Sequence, residues 1–177
     1  MSKKNILAML ALLAAASLGL AAQQEQRKSP HESTSITLNG NEITITYGRP
    51  SLRGRKAVGG SLAPFGKVWR TGADEATKLT TNADLTIGDL KAPKGTYALF
   101  TIPEKDHWTL IVNKTAEQWG AFSYDSSKDL GRTQMKVTEL SSPVEKFTIS
   151  LKPASGSTAT LTMAWENTEV SVPVKSM

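Results

Sequence analysis

The sequence predicts an all-β fold, an antiparallel β-sandwich or jelly-roll-like barrel of about ten short strands with little helix. Three observations carry this expectation. Short runs of alternating apolar and polar residues recur along the chain, and strict alternation is the period of a half-buried strand. Gly, Pro, Asn and Asp clusters separate these runs at roughly the 8–12-residue spacing of sandwiches and barrels. Asn39-Gly40 sits between two such runs, which is the strongest short-range hairpin signal.

Taken in order, residues 35–38 and 42–47 flank Asn39-Gly40 as the first hairpin. Further strands are expected at 76–80, 85–87, 96–102, 108–113, 134–140, 144–151, 158–165 and 169–174. Turn residues divide them: Asn82-Ala83-Asp84, Pro93-Lys94-Gly95, Pro103 to Asp106, and Pro153 to Ser157. In the late strands Phe147, Ile149 and Leu151 alternate with polar residues, and Ala159, Leu161, Met163 and Trp165 do the same. Val170, Val172 and Val174 repeat the pattern, so each set marks an inward face. Only 115–120 reads as a turn or short helix. No fixed-period repeat runs along the chain, which argues against a propeller or solenoid.

The N-terminus reads differently. Lys3 and Lys4 precede an apolar run over 6–20, and Gly19-Leu20-Ala21 places small residues at a cleavage site. This pattern is a secretory signal peptide over 1–22, too short and without the flank for a membrane span. Residues 23–33, QQEQRKSPHES, read as a flexible lead-in, and 34–177 as one all-β domain. The expected location is periplasmic or secreted, with no membrane span after signal cleavage. The chain has no Cys, hence neither a disulfide nor a lipid-anchoring thiol. The formal charge of +5 includes the two leader lysines, and without them 19 basic residues face 16 acidic ones, a net +3. So small an excess on an exported protein does not suit nucleic acid, and the sequence leaves the oligomeric state unspecified.

Residues 47–77, YGRPSLRGRKAVGGSLAPFGKVWRTGADEAT, hold Arg49, Arg53, Arg55 and Arg70 among Gly and Pro, followed by Asp74 and Glu75. Loops this long inside compact domains are usually functional or disordered. Leu52, Val58, Leu62, Phe65, Val68 and Trp69 give this one too much apolar surface for a solvated linker, so it should be ordered and packed on the domain. Guanidinium groups present planar forks of donors that suit an anionic ligand. The same arginines would equally serve as staples, paired with Asp74, Glu75 and backbone carbonyls. Of the four tryptophans, Trp108 and Trp165 lie on alternating stripes and read as core. Trp69 and Trp119 are the candidates for stacking on a sugar ring, with Glu166 and Asn167 as further polar partners beside Trp165.

The runs YGRPSLRGRK, FGKVWRTGADEAT, PKGTYALFTIP, WTLIVNK, QWGAF and AWENTEV resemble the bacterial domain-of-unknown-function family 2911. The resemblance extends from about Ser29 to Val174. It implies an exported single domain, and it implies no activity and no catalytic residues.

Catalysis finds little support in the residues themselves. There is no Cys and no G-x-S-x-G elbow. His31 falls in the lead-in and His107 in a tight turn, too far apart for the usual zinc constellations. Asp125-x-Ser127-x-Asp129 alternates like a calcium loop but lacks the Gly and distal Glu of one. No metal and no cofactor are therefore expected. Asp74 and Glu75 are adjacent, and in an extended segment they would point to opposite faces, leaving Glu75 or Glu166 as acid or base. Three readings follow: an exported binding module for an anionic or carbohydrate small molecule, a glycan-directed hydrolase, or a structural and interaction domain of the envelope.

Overall fold

The computed structural model describes residues 29–177. The expected signal peptide and the first residues of the lead-in lie outside the described residues. Nine antiparallel strands form one sheet in the order β1-β2-β3-β6-β7-β8-β9-β4-β5. They are β1 (His31–Leu38), β2 (Asn41–Gly48), β3 (Ala73–Thr81), β4 (Leu85–Ile87), β5 (Leu90–Ala92), β6 (Gly95–Pro103), β7 (His107–Asn113), β8 (Asp129–Ser155) and β9 (Thr158–Ser176). The all-β antiparallel expectation holds. The strand count and lengths differ from it, because two pairs of expected strands are continuous and β5 is additional.

The hairpin β1–β2 turns on Asn39-Gly40, with φ of 52° and 78° and Leu38 opposite Asn41. Positive φ at both central residues is the turn whose twist matches the flanking strands. Continued outward, the register sets His31 opposite Gly48, so β1 begins inside what the sequence offered as a flexible lead-in. Strand β8 runs through bulges between Glu139, Val144 and Thr148, while β9 passes Glu166 with φ of 55°. Bulges bend a strand and increase its twist. Here they fold the far half of the β8–β9 hairpin over the core, so the sheet covers itself.

The result is one main core. Ile43 and Ile45 of β2 share it with Leu99, Leu110, Phe147, Ile149, Leu161, Met163, Val170 and Val172. Tyr47 meets Phe147 edge-on at 5.8 Å, and its hydroxyl accepts the Ile149 N–H at 3.1 Å. On the other face of β6 and β7, Ala98, Phe100 and Ile111 form a second small core with Ala76, and Ala121 and Tyr124 pack on it. That second core seats the segment 114–128, which crosses the outside of the sheet. The expected turn or helix at 115–120 is irregular chain, and helical structure among the described residues is a single 3-10 turn at Ser126–Lys128. Among the described residues no helix is long and apolar enough to cross a membrane.

Candidate functional site

The Arg/Gly loop is ordered and packed, as its apolar residues required, and it closes one end of the core. Leu52, Ala57, Val58, Ala63 and Trp69 are buried. Trp69, offered by the sequence as a ligand-stacking residue, is instead an aromatic hub. It stacks on Trp165 at 5.7 Å and meets Phe147 at 5.0 Å and Trp108 at 6.0 Å edge-on. With 5 % of its surface exposed, it has no face left for a sugar.

The loop's polar groups are used to hold it down. Arg49 donates through Nε to the Phe147 carbonyl at 3.2 Å and through NH2 to Thr148 Oγ1 at 3.0 Å. Its NH1 lies 3.7 Å from Glu32. Arg55 donates to the Leu52 and Ser51 carbonyls. Glu145 Oε1 accepts the Arg53 backbone N–H, while the Arg53 side chain is outside at the surface. Glu166 accepts the Ala57 and Val58 N–H groups at 3.1 and 2.9 Å, so its carboxylate ties the loop to β9 rather than standing free as an acid or base. Asn167 donates to the Leu140 carbonyl across the hairpin bend. None of these residues lines the cleft described below.

A different set does converge, at the start of β3. Gly48 pairs with Ala73, and any Cβ at Gly48 would collide with the Ala73 carbonyl. The close approach brings β1, β2 and β3 into line, with His31 opposite Gly48 and no side chain between it and β3. Thr71 and Asp74 both take positive φ, 59° and 63°. Buried Thr71 fixes that turn: its hydroxyl bonds Thr101 Oγ1, and its carbonyl accepts the Thr77 hydroxyl. The left-handed residue breaks the two-residue alternation on which the sequence reading relied. Asp74 and Glu75 therefore do not part to opposite faces; both reach His31. Nε2 lies 3.0 Å from Glu75 Oε2 and 3.9 Å from Asp74 Oδ2.

The segment 118–120 closes the other side. Ala76 N–H donates to the Gln118 carbonyl, Gly120 N–H to the Asp74 carbonyl, and Glu75 bridges Trp119. Buried Asn113 positions Gln118: its Oδ1 accepts from Gln118 Nε2 at 3.3 Å and from Thr115 N at 3.0 Å. A cleft of about 200 Å³ opens between these elements, lined among others by His31, Tyr47, Gly48, Glu75, Lys78 and Gln118. Lys78 is paired with Glu117 on its rim. Trp119 and Phe122 are exposed, at 57 % and 86 %, and Trp119 follows the cleft residue Gln118 and pairs with Glu75. Arg70 runs beneath Gly120 with its Nε buried and no protein acceptor. Burial pushes the Tyr47 phenol above its ordinary value, with opposing contributions from the Ile149 N–H and Arg49.

Of the ten residues that the sequence nominated, Arg70, Asp74, Glu75 and Trp119 thus lie together. His31 was missed. The signal for it was present in the Asn39-Gly40 turn, whose register, extended to the end of the strand, sets His31 against Gly48. Asp125, by contrast, behaves as the turn residue it looked like, accepting the Ser127 N–H at the start of the 3-10 turn.

The profile of the family described as protein of unknown function, DUF2911, matches residues 29–174. The chain belongs to DUF2911. Comparisons with curated proteins and with solved structures give no match. The DUF2911 match begins two residues before β1 and ends within β9, so it takes in His31, the Arg/Gly loop and the segment carrying Trp119.

Proposed function

We propose that this DUF2911 protein is an exported binding module for a sugar-like small molecule, held in the cleft of His31, Glu75, Lys78 and Gln118 and stacked on Trp119. The observation that carries the reading is the exposed Trp119 bridged to Glu75 at the edge of a polar cleft. Ligand sites pair apolar walls with a few placed polar groups, and an exposed indole face beside carboxylate, amide and imidazole groups suits a ring bearing hydroxyls. The charge around the cleft favours a neutral sugar over an anion. Asp74, Glu75 and Glu117 lie there, against Lys78, already paired with Glu117, Arg70 beneath Gly120, and His31. The leader read at the N-terminus supports export.

Intrinsic fluorescence tests this directly, since Trp69, Trp108 and Trp165 are at most 5 % exposed and collisional quenching by acrylamide reports on Trp119. A neutral oligosaccharide that binds should protect the emission from acrylamide and shift it to the blue, and Trp119→Ala should abolish both effects. Unchanged quenching across a panel of neutral oligosaccharides contradicts the reading. The 3.0 Å His31–Glu75 contact favours a hydrolase as the second reading, with Glu75 as acid or base. New reducing ends released from a bound oligosaccharide, and lost in Glu75→Gln, would establish it.

A further inference from the structure

We propose that His31 Nε2, Asp74 Oδ2 and Glu75 Oε2 form a three-ligand site for a divalent transition-metal ion of the zinc type, with its remaining position open to the cleft. The three side chains each offer a ligand atom within 4.8 Å of the other two. Around a tetrahedral ion with bonds of about 2.1 Å, ligand atoms stand ~3.4 Å apart. The His31–Glu75 and His31–Asp74 distances of 3.0 and 3.9 Å bracket that value, and the two carboxylates, within 4.8 Å of each other, close on an ion by side-chain rotation. One imidazole with two carboxylates suits zinc and its neighbours rather than calcium, which takes six or more oxygens.

A second observation points to a cation at the same place. Asp74 Oδ2, one of the three ligand atoms, is itself shut off from solvent and accepts no hydrogen bond from the protein, while the Asp74 side chain as a whole is 30 % exposed. A buried carboxylate oxygen without a donor is costly, and a bound cation removes that cost. Gln118 Oε1, on the wall of the same cleft, is likewise buried without a donor. The ligands sit on two strands locked by the Gly48–Ala73 approach, which gives the site a rigid base. Three protein ligands with an open position are the arrangement of zinc sites that exchange water for a substrate or ligand group. The site stands whether or not a sugar binds.

The test uses the untagged mature protein, stripped with chelator and titrated with Zn²⁺, Mn²⁺ and Ca²⁺ by calorimetry, with bound metal measured after dialysis. The expected result is one Zn²⁺ per chain, a raised Tm, and binding weakened about tenfold or more in His31→Gln, Asp74→Asn and Glu75→Gln. His107→Gln removes the chain's other histidine and should leave binding unchanged. Circular dichroism of each variant separates lost metal from lost fold, and Asp74→Asn keeps the side-chain shape if His31→Gln does not fold. Absence of stoichiometric Zn²⁺ in the folded wild type overturns the proposal. So does Zn²⁺ binding that His31→Gln and Asp74→Asn leave unaltered, or a site that takes Ca²⁺ in preference to Zn²⁺.

Discussion

Asp74 is the residue on which the cleft turns. Its φ of 63° lies in the left-handed region, where Asp is tolerated better than most residues. The conformation is what lets neighbouring carboxylates share His31. Replacing Asp74 with Gly or Ala removes the carboxylate equally, but only Ala keeps the backbone penalty, about 1–2 kcal/mol. Asp74→Gly should therefore melt at a higher temperature than Asp74→Ala. Equal melting temperatures would mean that the turn carries no backbone strain. Trp69 marks the opposite case, a residue whose neighbours in sequence suggested a site and whose place is the core. Trp69→Ala should cost roughly 3–5 kcal/mol, as large aromatic truncations do. A melting temperature close to wild type would place Trp69 outside the aromatic cluster.

Gly48 shows how strands bring the site residues together. It stands where β1, β2 and β3 are in register, and a methyl group there meets the Ala73 carbonyl. Gly48→Ala should cost roughly 1–3 kcal/mol as an overpacked site and push β3 away from His31, which removes cleft binding in the molecules that remain folded. Unaltered stability would show that the strands do not approach so closely. Strand existence was legible where alternation was clean, as in β2, because period two reports burial on one face, while β6 and β7, buried on both faces, were legible as short apolar runs between turn residues. Continuity was not. Around Glu139 to Thr148 the bulges interrupt the alternation without ending the strand, so β8 read as two elements. The Arg/Gly loop was legible as packed from Leu52, Val58 and Trp69. The use of its arginines was not, since carbonyl partners such as Phe147 O lie 98 residues away from Arg49. Asp74 and Glu75 were nominated, but their convergence hangs on one positive φ that no composition signal announces.

At the scale of the molecule, the sheet folded over a single main core should unfold as one cooperative unit. Its three tyrosines test the integrity of that unit at high pH. Tyr47, Tyr97 and Tyr124 are all pushed above the ordinary phenol value, with burial the leading cause in each. The folded state therefore favours the neutral phenol. Its contribution is complete below the unfolded value, about 10, and is lost as pH rises through the higher folded values. Tyrosinate absorbance should rise with a midpoint above 10 in the folded protein, and stability should fall over the same range. An ordinary midpoint while the fold persists would contradict the burial of these rings. The central claim is that the Arg/Gly loop is structure and the cleft beside Trp119 is the site. Arg49→Gln and Trp119→Ala, measured together for melting temperature and for binding to arrayed neutral and acidic oligosaccharides, test it most directly. The account predicts a lowered melting temperature with binding retained for Arg49→Gln, and binding lost with the melting temperature retained for Trp119→Ala. Binding of acidic oligosaccharides that Arg49→Gln abolishes at unchanged stability, with Trp119→Ala silent, would contradict it.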